Sequence, residues 1–333
     1  MSSESFSHPQ QQQQQLKSCK WYRLKYQVPK TFVDDLQVYD YKLFSKVSTC
    51  LFLITVFAFP IIFDLLRIYV LNNNNYIFLF LILNLVSYGF SFGWLMVEDA
   101  KKFINSGAWA IYLFVFSQAV SSIFFAIFIK TSPLFYYQVD NKIELTNAGC
   151  ALDFFIQSIT RLVTIFIILF FSKQLASKIG NTLLYNVLLV AIVIIISLLI
   201  IFQVTAVFKF INDAIGAKKS TNQTEIEKFS NTISGKIGLF IMVVITAPSL
   251  EELATRHSIF MLSRYRWLGF FISSFYFAWM HVRLGGDIQN IFSYLGFSLS
   301  LSLLFIFSRE NVTYPFVIHL INNLISYTVL VAT

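Results

Sequence analysis

Two adjacent carboxylates, Glu251 and Glu252, and a guanidinium, Arg256, continue an apolar run from Ile237 to Ile245. Each charge near a bilayer centre costs about 2.5–3.5 kcal/mol on insertion scales, so residues of this kind mark a site by default. Residues four apart on a helix share a face, and Glu252 is expected to pair with Arg256 as structural support. Glu251 points about 100° away, beside Thr255 and Ser258, and is left for chemistry. His281 lies in the next apolar segment, and His319 and Asn323, four apart, lie in the last one. A desolvated carboxylate makes an effective general base. An imidazole can share and shuttle its proton. An imidazole and an amide on one helix face can present donors to a developing oxyanion. These are the parts that amide hydrolysis by an activated water requires.

The blocks run in the order EExxxR at Glu251–Arg256, FxxxH at Phe277–His281 and HxxxN at His319–Asn323. In that order, on successive apolar segments, they resemble the CPBP family of intramembrane proteases, which includes CAAX proteases and bacteriocin-processing (Abi) enzymes. Pro248 and the pair Tyr314–Pro315 also look like the family. The chain departs from the pattern beside the site, with Thr255 where the family has a phenylalanine and His257 where it has a glycine. The resemblance covers roughly the last 100 residues. It implies that Glu251, His281, His319 and Asn323 are catalytic, and that the substrate is a membrane-associated protein or peptide. CAAX-type trimming and bacteriocin or peptide maturation are both open.

Two histidines and a glutamate also form a possible zinc set with an open position. Against it, HExxH is absent and no carboxylate follows either histidine by one residue. Asn323 beside His319, and Phe277 beside His281, supply no local carboxylate to fix a ligand tautomer. The expectation is no metal and no cofactor, with zinc as the alternative.

The elements that position these groups are membrane segments. The 333 residues are 56% hydrophobic and 13% charged, where a soluble domain carries about 25% charged residues. The expected fold is an all-α polytopic membrane protein with about eight to nine transmembrane helices. The net charge of +8 reflects basic loops. Basic residues interleaved with aromatics form no patch, so nucleic acid is not an expected partner; the bilayer is. Cys19, Cys50 and Cys150 have no metal-ligand or disulfide spacing, and no cleavable signal peptide is expected.

Residues 1–46 read as a disordered, glutamine-rich tail followed by a basic juxtamembrane stretch. Front helices are expected over 47–207, a polar loop over 208–236 and the catalytic core over 237–333. Within the front half the spans are expected at Val47–Leu71, Tyr76–Met96, Gly107–Ile129, Ala151–Phe171 and Leu183–Val207. Arg161, inside one of them, is expected to pair with Asp153 or a neighbouring helix, and His257 to sit at a helix surface. The basic residues place the N-terminus in the cytoplasm. A bacterial plasma membrane is the expected location, the endoplasmic reticulum the alternative. The non-enzymatic alternatives are a bacteriocin self-immunity protein, a scaffold or a transporter. A transporter would show repeated halves with broken helices, and no such repeat is evident.

Overall fold

The computed structural model describes residues 40–332, apart from 72–76, 130, 140, 141, 186, 231 and 284. The expected disordered tail, most of the basic stretch and Cys19 lie outside the described residues. The elements are α1 (Lys46–Leu71), α2 (Ile77–Ser106), α3 (Ala110–Ile129), β1 (Tyr136–Val139), β2 (Lys142–Leu145), α4 (Asn147–Phe171) and α5 (Lys173–Tyr185). The chain continues through α6 (Val187–Ala214), α7 (Thr221–Phe229), α8 (Ile233–Leu262), α9 (Arg266–Val282), α10 (Ile291–Phe307) and α11 (Thr313–Ala332). Eight of these helices are long and apolar enough to cross a membrane. The protein is an all-α, multi-pass integral membrane protein, with one small antiparallel hairpin (β1–β2) between α3 and α4. Helix α9 has 17 residues and falls just short of that length.

Apolar side chains face both ways. Leu188, Ile192, Ile195, Ile196 and Leu199 of α6 are exposed, as a lipid-facing surface requires when no hydrophobic gradient separates lipid from core. Inside, Phe52, Phe103, Tyr112, Phe260, Tyr276 and Phe305 are buried in one cluster joining front and back helices. Helices α9 and α10 approach along small residues, with Ser274 Oγ and Ser302 Oγ 2.9 Å apart. A Cβ on Gly296 would lie 2.8 Å from the Phe208 ring, so only glycine lets α10 meet α6 there.

Two proline-bearing spans are locally widened. π-Helical turns at Leu53–Ala58 and Phe240–Thr246 precede Pro60 and Pro248. Proline has no N–H and its ring crowds the carbonyl four residues back, which favours such a bulge. A further π-helical turn of α8, Leu253–Ser258, follows the glutamate pair directly.

Three boundaries differ from the sequence reading. Helix α2 does not stop at Met96; it kinks at Asp99 and runs on to Ser106, because Asp99 Oδ1 accepts from the Lys102 N–H (2.9 Å) and starts a new helical turn. Helix α6 runs on to Ala214. Within 208–236, α7 forms behind an N-cap in which Ser220 Oγ accepts from the Gln223 N–H.

His257 is not at a surface. It is 1% exposed, and its Nε2–H donates to the Ser106 carbonyl (2.6 Å). The α2–α3 turn folds over this part of α8. Gly107, at φ +79°, passes so close that a Cβ would lie 3.1 Å from His257 Nε2.

Candidate active site

The glutamate pair sits on the short α-helical turn Ala247–Glu252, between the two π-helical turns of α8. Both carboxylates are buried, Glu251 at 8% exposure and Glu252 at 0%. Glu252 Oε2 lies 3.3 Å from Arg256 Nε, an ion pair whose geometry falls short of a hydrogen bond at that nitrogen. Arg256 is held elsewhere too. Its Nη1 donates to Thr255 Oγ1, and its Nη2 donates to the Ser298 hydroxyl (3.0 Å) and carbonyl (3.3 Å) on α10.

The other Glu252 oxygen, Oε1, accepts from His319 Nδ1–H at 2.8 Å. Its role is therefore wider than the support expected of it, since it ties α11 to α8 and fixes which ring nitrogen of His319 is turned away. That nitrogen, Nε2, lies 4.0 Å from Glu251 Oε2. This is long for a direct hydrogen bond and short enough for both groups to touch one water.

His281 comes from the last turn of α9. Its Nδ1 is 2.8 Å from the Phe277 carbonyl; a carbonyl only accepts, so Nδ1 carries the proton and Nε2 is the free nitrogen. The ring is stacked on Tyr294 of α10 (centroids 4.6 Å, 24°). It interacts electrostatically with Glu251 and His319.

Asn323 Nδ2 donates to the Val243 carbonyl at 2.9 Å. In the π-helical turn, Ala247 N–H bonds back five residues to Met242. The next donor in that pattern would be residue 248, a proline without an N–H, so the Val243 carbonyl lacks a helical partner and Asn323 supplies one. The amide keeps a second N–H.

All six residues singled out in the sequence, Glu251, Glu252, Arg256, His281, His319 and Asn323, come to one region among α8, α9 and α11. Several neighbours were not singled out. Phe277 is the hub: Arg256 stands over its ring at 4.7 Å, and the rings of His281 (4.6 Å) and His319 (5.6 Å) pack on it. The FxxxH block, which contains it, is the sequence feature that marks it. Tyr294 and Ser298 carry no motif. Of the two partners expected for Arg161, Asp153 or a neighbouring helix, Asp153 is reached only through a relay. Gln157 lies between them, donating to Asp153 (2.8 Å) and accepting from Arg161 (3.5 Å).

No carboxylate on its own helix fixes either histidine, but each ring has an orienting partner all the same. Glu252 and the Phe277 carbonyl each hold an Nδ1. Such anchors suit a metal ligand as well as a metal-free donor. Among the described residues, no three His, Cys, Asp or Glu side chains are grouped to hold one ion.

Residues 233–325 match the family model described as type II CAAX prenyl endopeptidase Rce1-like. An uncharacterized protein of Mycoplasma capricolum subsp. capricolum is 36% identical over 93 residues, which is 28% of this chain and 27% of that protein. The chain thus spans about a quarter of the length of this relative. No solved structure matches. The matched segment contains every residue of the EExxxR, FxxxH and HxxxN blocks. The likeness to the Rce1-like family model is thus confined to the segment that carries the three blocks.

Proposed function

We propose that this protein is an intramembrane endopeptidase that hydrolyses peptide bonds of membrane-associated proteins or peptides with a water activated by Glu251. The observation that carries the reading is the facing of Glu251 Oε2 and His319 Nε2 at 4.0 Å, with His319 Nδ1 fixed by Glu252. Glu251 takes the proton as the water oxygen attacks the scissile carbonyl carbon. His281, with Nε2 as its free nitrogen, shares that proton and passes it to the leaving amine. His319, when it carries both ring protons, and the second N–H of Asn323 donate to the oxyanion. Arg256 neutralises Glu252, so the orienting carboxylate is not an unpaired buried charge. The C–N bond then breaks, the amine leaves with its added proton, and Glu251 is freed.

The family description supports a lipidated C-terminal tail over a secreted peptide as substrate. The Mycoplasma relative supports a bacterial plasma membrane. The experiment is to reconstitute the purified protein in proteoliposomes with a farnesylated CaaX peptide and follow the products by mass spectrometry. Release of the C-terminal tripeptide supports the reading, and an uncut peptide counts against it. Comparing membrane peptides of cells carrying wild type or Glu251→Ala then identifies the natural substrate.

Asn323→Ala should lower the cleavage rate by about 10²–10³-fold and leave a measurable residue, as expected for one lost oxyanion donor. An unchanged rate would confine Asn323 to bonding the Val243 carbonyl.

The reaction is proposed to need no metal. The carboxylate and the imidazole and amide donors supply the base and the oxyanion stabilisation themselves. Activity should survive prolonged phenanthroline treatment, and elemental analysis should find no stoichiometric zinc. Loss on chelation, restored by zinc, would make Glu251, His281 and His319 a ligand set instead.

A further inference from the structure

Arg161 stands in the middle of α4, a membrane span in the front half, outside the family-matched segment. Nothing in the reaction above uses it. A guanidinium at that depth costs about 2.5–3.5 kcal/mol on insertion scales unless it is compensated. Its local compensation is thin. The side chain has five N–H donors, and its bond to Gln157 Oε1 is long, at 3.5 Å, and to a neutral amide. Among the described residues it forms no ion pair.

Its surroundings point into the site. Asp153, Gln157 and Arg161 lie four apart on one face of α4, and all three are half-buried. Helix α4 packs against the turn Ala247–Glu252 that carries the glutamate pair. The guanidinium interacts electrostatically with Glu251, and His281 interacts with it in turn. Leu162, Val163 and Phe166 beside it are exposed and apolar. The front half thus offers the reacting carboxylate a planar cation flanked by apolar surface.

A guanidinium fork matches a carboxylate bidentately, which a point charge does not. Extended peptide spans about 3.3–3.6 Å per residue, so a cation close enough to interact with Glu251 lies within a few residues of the scissile bond. We propose that Arg161 is a specificity-determining residue that binds the free C-terminal carboxylate of the substrate. For the substrate class this inference rests on the protease reading; the placement of the cation does not.

The test uses two farnesylated peptides ending in Cys-Val-Ile-Met, one with a free carboxylate and one with a carboxamide, and the full protein in nanodiscs. Binding is measured in the Glu251→Gln background and cleavage in wild type. The acid should bind about tenfold or more tightly than the amide, the scale of a charge-assisted bond. Arg161→Gln should abolish that difference by weakening the acid alone, and Arg161→Lys should restore only part of it. Equal binding of acid and amide by the Glu251→Gln protein overturns the proposal. So does an equal loss for both peptides in monodisperse Arg161→Gln protein, which would make Arg161 a counter-ion of Glu251. An Arg161-dependent preference for the acid in a wild-type protein that cleaves neither peptide would sink the protease reading and leave the carboxylate site standing.

Discussion

Glu251→Ala and Glu251→Gln proteins are expected to insert and purify like wild type while losing at least the 10²–10⁴-fold in cleavage rate that a general base typically contributes. The glutamine variant is the sharper of the two. It keeps the shape and the hydrogen-bonding oxygen and removes only the ability to take a proton. Among the described residues Glu251 forms no ion pair with an arginine, and its ion-pair contact is His319 Nε2 at 4.0 Å, so fewer contacts of the fold hang on its charge than on that of Glu252. His281→Ala and His319→Ala should be similarly inactive, because each removes a group that moves or stabilises charge in the same step. The assay is tripeptide release in proteoliposomes, with size-exclusion profiles to confirm folding. Undiminished cleavage by Glu251→Gln would end the enzyme reading built on this carboxylate.

Glu252 and Arg256 should behave in the opposite way, failing first as a fold. Both are fully buried, and removing one partner of a buried pair typically costs about 3–5 kcal/mol because the other charge is left unpaired. Glu252→Ala has a second effect, since it also removes the acceptor for His319 Nδ1. Arg256→Ala strips the bonds to Ser298 and with them a tie between α8 and α10. Each single variant should give a low yield of folded protein in detergent and a lowered unfolding temperature. The double variant Glu252→Met/Arg256→Leu should recover much of the loss, since an apolar pair leaves no orphaned charge. Its activity should stay low, because nothing then orients His319. If Glu251→Gln proves less stable than Glu252→Gln, the assignment of the two faces is reversed.

Composition and spacing alone determined a good deal. The low fraction of charge and the long apolar runs give a helical membrane protein, because only helices or closed barrels satisfy the backbone in lipid. The i,i+4 spacing brings Glu252 to Arg256 wherever the helix sits in the molecule, since that contact is local. The glutamates, histidines and Asn323 could be picked out because polar groups inside apolar segments are costly and so conspicuous. The prolines were a further signal, and the widened turns before Pro60 and Pro248 follow from the missing N–H.

Contacts between distant segments were not legible, because periodicity describes each helix by itself. The bond from Glu252 to His319 joins residues 67 apart in sequence, and it turns a supporting carboxylate into the group that sets a tautomer. The Asn323 bond to Val243 depends on a carbonyl orphaned by Pro248 in another helix. His257 looked like a surface residue because the sequence around α8 gives no sign that the α2–α3 turn covers it. For Arg161 the sequence left two partners open, Asp153 in its own helix or a neighbouring helix. Packing α4 against the turn Ala247–Glu252 is what lets its charge interact with Glu251, and that docking depends on the shapes of two helices whose residues are some 90 positions apart.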